Sequence, residues 1–279
     1  MSTVVRKTRF LQQTGIVLLL SAVALVILFP FYWMFASSFK PLSLIFATPI
    51  ALLPDPFTLE AYQKLLTNTA FPRWYLNSIV ITASFTALAI VLSSIAGFGF
   101  GKYRFRFRTP LFLVVLLSMM IPVHSIMIPL FVVLIELGGI DSYWGVVLPF
   151  AANPFGIFFV RQYLRSVPDE LMQAGRIDGC SEFSLFRKVI FPLLTPVVGV
   201  MTIYFAIVSW NWFVWPLVVL RSTRLFPITV GLSTFITQYR IRYDEVMAGS
   251  VLSTIPLIVL FLLMQEKFVS GLTAGAVKS

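Results

Sequence analysis

The chain has 279 residues, 58% of them hydrophobic and 11% charged, with a formal charge of +10 and a mean hydropathy of +0.92. Soluble domains average about 45–50% apolar and 25% charged residues, so the composition excludes a water-soluble protein and leaves an integral membrane protein of about six crossings at about 20 apolar residues each. The lone Cys180 excludes an intrachain disulfide, and the basic residues lie in short segments between apolar runs, where membrane topology rather than nucleic acid accounts for the charge.

Arg6, Lys7 and Arg9 precede the first apolar run, 15–37, which ends in Phe29-Pro30-Phe31-Tyr32-Trp33 without a small-residue cleavage site. This pattern predicts an uncleaved span with an aromatic interfacial end. The segment 38–74 carries Pro41, Pro49, Pro54, Pro56 and Pro72, which predict extended chain with one short helix near Leu59 to Leu66. Further runs at 75–98, 110–134, 142–160, 193–220 and 246–265 complete six transmembrane helices in a single all-α domain, 1–279. Fourteen of the 21 Lys and Arg residues lie at the N-terminus, in 99–109, in 161–192 and in the C-terminal tail, and seven lie in the alternate loops. That bias predicts both termini on the cytoplasmic side, with Arg221, Arg224, Arg240 and Arg242 as the exception.

The six runs contain no Asp, Glu, Lys or Arg, and His124 in "MMIPVHSIMIPL" is their single readily titratable group. It reads either as a packing residue between helices or as a proton relay of a secondary transporter acting alone. Pro122, Pro129, Pro149, Pro154, Pro196, Pro216 and Pro256 suggest helices bent around a cavity for a neutral, polar cargo. In "SWNWFVWPL", Trp210, Asn211, Trp212 and Trp215 either stack on sugar faces and bond hydroxyls or form an interfacial belt, the belt being favoured for Trp215. "GFGFGK", 97–102, lacks the strand and final residues of a phosphate loop and reads as close helix packing. With no nucleotide loop, no metal-spaced Cys/His set and no catalytic constellation, the chain is expected to be no enzyme and to hold no cofactor or metal.

The water-facing stretch is 161–192. Ser166 and Pro168 suit a helix start, Asp169 and Glu170 its positive end, and Leu171, Ala174 and Ile177 form an apolar stripe. Asp178-Gly179 stops the helix, and Ser181 caps a second one with Glu182 in its first turn and Phe183, Phe186 and Ile190 on one face. Such a helix lies on lipid or fits a groove in another protein, and its four acids disfavour anionic lipid.

"PDELMQAGRIDGCSEFSLFRKVIFPLLTP" resembles the cytoplasmic EAA loop of permease subunits in bacterial ABC importers. Gln173, Ala174 and Gly175 stand at the Glu-Ala-Ala positions, Gly179 at the glycine, and Ile190 and Pro192 at the close, so two of the three letters depart. "WYLNSIVI", "GFGFGKYRFRFR", "MIPVHSIMIPL", "FVRQYLRSVPDEL", "WNWFVWPL" and "FVSGLTAGAVKS" resemble, in order, the second permease of carbohydrate importers of the maltose type. The resemblance implies a type I importer fold in the bacterial inner membrane and a heterodimer with a sister permease. It also implies two ATP-binding subunits that bind ATP and Mg, and an extracytoplasmic solute-binding protein. It implies ATPase coupling through Glu170, Gln173, Ala174, Gly175, Asp178 and Gly179, with the tail 271–279 reaching the ATPase. Asn153, Trp210, Asn211 and Trp212 are the expected substrate path for a di- or oligosaccharide, with glycerol phosphate or a polyol as the alternative.

Overall fold

A computed structural model of the chain describes residues 2–237 and 241–273, with side chains over 13–237 and 241–265. The described chain is helical, in order α1 (Ser2–Ser37), α2 (Glu60–Thr67), α3 (Phe71–Lys102), α4 (Arg108–Ser118), α5 (Val123–Glu136), α6 (Tyr143–Ala151) and α7 (Pro154–Leu164). There follow α8 (Glu170–Ile177), α9 (Glu182–Leu193), α10 (Thr195–Trp210), α11 (Val214–Val219), α12 (Ile228–Ser233) and α13 (Tyr243–Thr273). It divides into two compact units, 1–69 with 234–253, and 70–233 with 254–279.

Three helical stretches are long and apolar enough to cross a membrane unaided: Gln13–Ser37, Phe71–Lys102 and Tyr243–Gln265. Three further crossings exist where a bent pair counts as one: α4 with α5 at 102°, α6 with α7 at 41°, and α9 with α10 at 76°. Each break falls beside a proline that cannot donate to the preceding turn, namely Pro122, Pro154 and Pro196. The run 110–134, expected as one helix, is therefore divided at Met119–Pro122. The run 193–220 is likewise interrupted, since α10 stops at Trp210 and α11 begins only at Val214. Phe186–Ile190 within α9 is a π-turn, just ahead of Pro192.

In the first unit, residues 13–32 of α1 are exposed throughout, an outward apolar surface that hydrocarbon, not water, would solvate, and the helix becomes buried only at Ala36 and Ser37. The Pro-rich segment that follows is organised around Lys40, whose Nζ donates to Ala51 O and lies 4.5 Å from the Trp33 ring. Burial lowers the Lys40 pKa. The short helix expected near Leu59 to Leu66 is α2, closed by a 2.6 Å Glu60–Lys64 pair.

The second unit is built on α3, which packs against α7, α10 and α6. Phe85, Ala89, Val160, Phe205 and Met201 fill its core. Close approach depends on small residues: a Cβ at Gly97 would sit 2.6 Å from Val160 Cβ and one at Gly101 3.1 Å from Leu164 Cβ, so these two glycines of "GFGFGK" are packing positions, while Gly99 faces open space. At the other end of α3, Asn77 Nδ2 donates to Arg224 O and Phe226 O, and Tyr143 Oη donates to Asn77 Oδ1.

Candidate functional site

The coupling residues all belong to the second unit. α8 begins at Glu170 rather than at the expected Ser166 and Pro168, with Asp169 in the capping position and Glu170 in the first turn, and the Ser166 hydroxyl donates back to Tyr163 O instead of capping. Lys102, at the end of α3, has a side chain only 3% exposed, and its Nζ bonds both Val167 O and Asp169 Oδ1, the latter at 2.6 Å. The next residue, Tyr103, donates its hydroxyl to Glu182 Oε2 at the start of α9. Glu182 also receives Arg176 of α8 through Nε at 2.8 Å and Nη2 at 3.3 Å. The last residue of α3 and the one that follows it thus hold the chain on either side of α8.

The hydrogen bond from Lys102 lowers the Asp169 carboxyl pKa, and those from Arg176 and then Tyr103 lower that of Glu182. The Tyr103 phenol is raised, first by burial and then by the Glu182 carboxylate beside it.

α8 turns Met172 and Gly175 inward, and a Cβ at Gly175 would come 2.5 Å from Leu185 Cδ1 of α9. A methyl at this position, where the EAA pattern has alanine, would require the buried Leu185 side chain to shift. The stripe of Leu171, Ala174 and Ile177 stays on the outside, Ile177 being 86% exposed, and Gln173 is exposed with it. Gly179 has φ of +77° and Cys180 N donates to Gly175 O at 2.9 Å, the left-handed residue that ends α8. Glu170 and Asp178 are both exposed at the two ends of the helix, and Ser181 Oγ accepts from Ser184 N.

The expected substrate-path residues separate into two places. Asn153, Asn211 and Trp212 line one cavity of about 390 Å³, together with His124, Tyr204 and Phe150. Its volume lies within the range of small-ligand sites, about 300–1,000 Å³. Trp210 is buried, packs edge-on to Tyr75 at 5.9 Å, and lines a separate apolar groove with Thr82, Thr86 and Pro256. Trp215, read as a belt residue, is instead buried, with its Nε1 donating to Gly145 O at 3.3 Å and its ring 5.4 Å from Phe150. A tryptophan at an aqueous interface and one inside a bent bundle share the same local sequence, so the belt reading does not hold.

Both cavity asparagines sit at helix breaks. Asn153 caps α7 with Oδ1, which accepts from Phe155 N at 3.1 Å and Gly156 N at 3.4 Å. Asn211 ends α10, its Nδ2 donating to Ile207 O at 2.8 Å. The amide orientations follow from these bonds. They leave the Asn153 amino group and the Asn211 carbonyl oxygen without protein partners among the described residues. The unwound step after Asn211 is fixed by Thr229 Oγ1, which donates to Trp212 O at 2.5 Å. The Trp212 ring tilts against Phe85 at 4.5 Å and Phe150 at 5.6 Å.

His124 is exposed in the first turn of α5 and has no hydrogen-bond partner among the described residues, so it is not a bonded packing residue there. Tyr204 and Phe150 escaped the sequence reading, because their rings become cavity wall only once α6, α7 and α10 bend. Arg242 is taken up by Glu245 through a 2.7 Å bond and by the Phe235 ring. Arg240 and the tail residues 274–279 lie outside the described residues.

Residues 89–273 match the family model of the binding-protein-dependent transport system inner membrane component. The chain is 38% identical over 269 residues to the arabinooligosaccharides transport system permease protein AraQ of Bacillus subtilis (strain 168), covering 95% of this chain and 96% of that protein. It is 32% identical over 259 residues to the lactose transport system permease protein LacG of Rhizobium radiobacter, covering 93% and 94%. A chain in the crystal structure of a bacterial ABC transporter involved in import of the acidic polysaccharide alginate superposes with a TM-score of 0.83 at 27% identity, covering 92% of this chain and 97% of that one.

Proposed function

Because the chain belongs to the family of binding-protein-dependent transport system inner membrane components, we propose that it is the permease subunit of an ATP-driven carbohydrate importer working by alternating access. The observation that carries this reading is α8, a short helix packed on one face through Met172 and Gly175 while Leu171, Ala174 and Ile177 remain uncovered on the other. A stripe of that spacing fits a groove in a partner protein. The partner is an ATP-binding subunit, two copies of which bind ATP and Mg, and the permease itself performs no hydrolysis.

Residues 1–279 then form one permease domain with both termini cytoplasmic, paired with a sister permease and served by an extracytoplasmic solute-binding protein. Closing of the ATPase pair pushes α8. Because Gly175 seats α8 on Leu185, the push passes into α9 and across the 76° bend into α10, whose last residues wall the cavity. Lys102 and Tyr103 carry the same displacement into α3.

The cargo is a di- or oligosaccharide. Sugars present apolar ring faces and many hydroxyls, which suit the Trp212 and Tyr204 rings with one free amide donor and one free acceptor. The relatives named for arabinooligosaccharides and lactose support the same class. Charge argues against glycerol phosphate: among the described residues no Lys or Arg lines this cavity, and Arg242 of the basic external segment is engaged by Glu245.

Affinity purification of the tagged chain from its native membranes in mild detergent tests the reading. A second permease and an ATPase should co-purify with ATP hydrolysis, and Ile177→Glu should lose the ATPase while keeping the second permease. A chain that purifies alone and moves solute without ATP would sink the reading and turn attention to His124.

A further inference from the structure

At the α8 end of the second unit, a separate hollow of about 390 Å³ lies between the end of α3, the start of α4 and the end of α7. Lys102, Arg104, Arg108 and Arg165 line it, and Asp169 is the one carboxylate there. That carboxylate is already spent on Lys102 at 2.6 Å, and its low pKa reflects Lys102 first and then the fields of Arg104 and Arg108. Arg108 is held in place by Phe100 O at 2.8 Å and Gly101 O at 3.1 Å. Arg104 and Arg165 make no ion pair or hydrogen bond through their guanidinium groups to the described residues.

Four cations facing one engaged carboxylate repel each other unless an anion joins them. Two unpaired guanidinium forks match the oxygens of a phosphate, which each can bind in bidentate fashion. The surroundings decide where the phosphate comes from. Phe105 and Phe107, in the linker between α3 and α4, are exposed, and α4 continues with uncovered Leu111, Leu113 and Val114. Cations beside an aromatic and aliphatic outer surface mark the boundary between headgroups and acyl chains.

We infer that this pocket binds the phosphate of an anionic phospholipid headgroup, anchoring the base of α3 and α4 to the membrane. The inference rests on the transport reading only for the leaflet, which is then the cytoplasmic one.

The test uses the complex recovered with its co-purifying subunits, washed in detergent and loaded with phosphatidylglycerol or phosphatidylcholine, with bound lipid counted by native mass spectrometry. Wild type should retain phosphatidylglycerol over phosphatidylcholine by about tenfold, and Arg104→Gln/Arg165→Gln should erase that preference. Arg104→Lys/Arg165→Lys, which keeps charge but not the fork, should retain an intermediate amount. Equal retention of the two lipids by wild type overturns the proposal without any variant, so a misfolded variant does not protect it. Displacement of the lipid by inorganic phosphate would make this a free-anion site, and loss of the ATPase with lipid retention unchanged would make it a protein contact; either overturns the proposal. None of these outcomes bears on Ile177→Glu, which tests the transport reading by itself.

Discussion

Lys102 Nζ, almost wholly buried at the end of α3, holds Asp169 Oδ1 at 2.6 Å, so the central helix of the second unit ends in a charged bond to the residue that starts α8. Exposed ion pairs contribute about 0–1 kcal/mol, and Asp169 is largely exposed, so the pair matters less for stability than for position.

Lys102→Met removes the bonds to Asp169 and Val167 together. The complex should assemble, because the α8 stripe is untouched, while sugar taken up per ATP hydrolysed falls by about tenfold, equivalent to about 1.4 kcal/mol of lost coupling. Uptake and hydrolysis in the same proteoliposomes measure the ratio. An unchanged ratio would assign Lys102 to stability alone.

Acid should loosen the same region. Asp169 and Glu182 have folded-state pKa values below their ordinary 3.8 and 4.5, through Lys102 and Arg176 respectively. A depressed carboxyl pKa adds stability that is complete above the ordinary value and is lost as pH falls through the folded one. The melting temperature of the complex should therefore be insensitive to these two groups from about pH 8 to 5.5 and decline below about 4. In Asp169→Asn/Glu182→Gln that acid decline should be shallower; an identical slope would remove these carboxylates from the account.

Gly175→Ala restores the alanine of the EAA pattern, yet it is expected to impair this chain. The added methyl meets Leu185, and crowding a packed contact costs about 1–3 kcal/mol. ATPase activity of the assembled complex should drop, and Leu185→Val added to Gly175→Ala should recover most of it. Additive losses in the double variant would show that the two side chains do not meet.

Asn153→Asp keeps the cap oxygen of α7 and deletes the amino group that faces no protein partner. Transport KM should rise about tenfold, the size of one lost hydrogen bond, with the melting temperature little changed. Asn153→Ala should lower both affinity and melting temperature, the cap being worth about 1 kcal/mol. If Asn153→Asp transports normally, the amide does not touch cargo.

The apolar runs were legible because hydrocarbon leaves a long uninterrupted record: 75–98 and 246–265, which lie within the helical stretches Phe71–Lys102 and Tyr243–Gln265, needed only the length and absence of charge that a bilayer demands. The turn at Gly179 and the Ser181 cap were legible for a local reason, each depending on residues within a few positions. Pro216, which cannot donate to Trp212 O four residues back, marked the neighbourhood of the helix break at Asn211–Phe213, but the group that fixes it is Thr229, seventeen residues from Trp212. The apolar stripe of α8 was visible, but periodicity does not reveal whether a stripe is covered from within the chain or from outside it. Tyr103 and Glu182 are 79 residues apart, and neither belongs to a local pattern that would join them. Trp210 and Asn211 are neighbours in sequence that part company because consecutive helical positions point about 100° from one another.

The amides of the cavity leave the Asn153 amino group unclaimed as a donor and the Asn211 carbonyl oxygen unclaimed as an acceptor among the described residues. A hydroxyl is donor and acceptor at once, so a ring hydroxyl that reaches either group can answer it. Such a wall separates hydroxylated cargo from hydrocarbon and favours sugars that set a hydroxyl within reach of either amide. On the proposed reading, the passage meets its cargo through few polar groups, and most of the choice of sugar falls to the protein that delivers it.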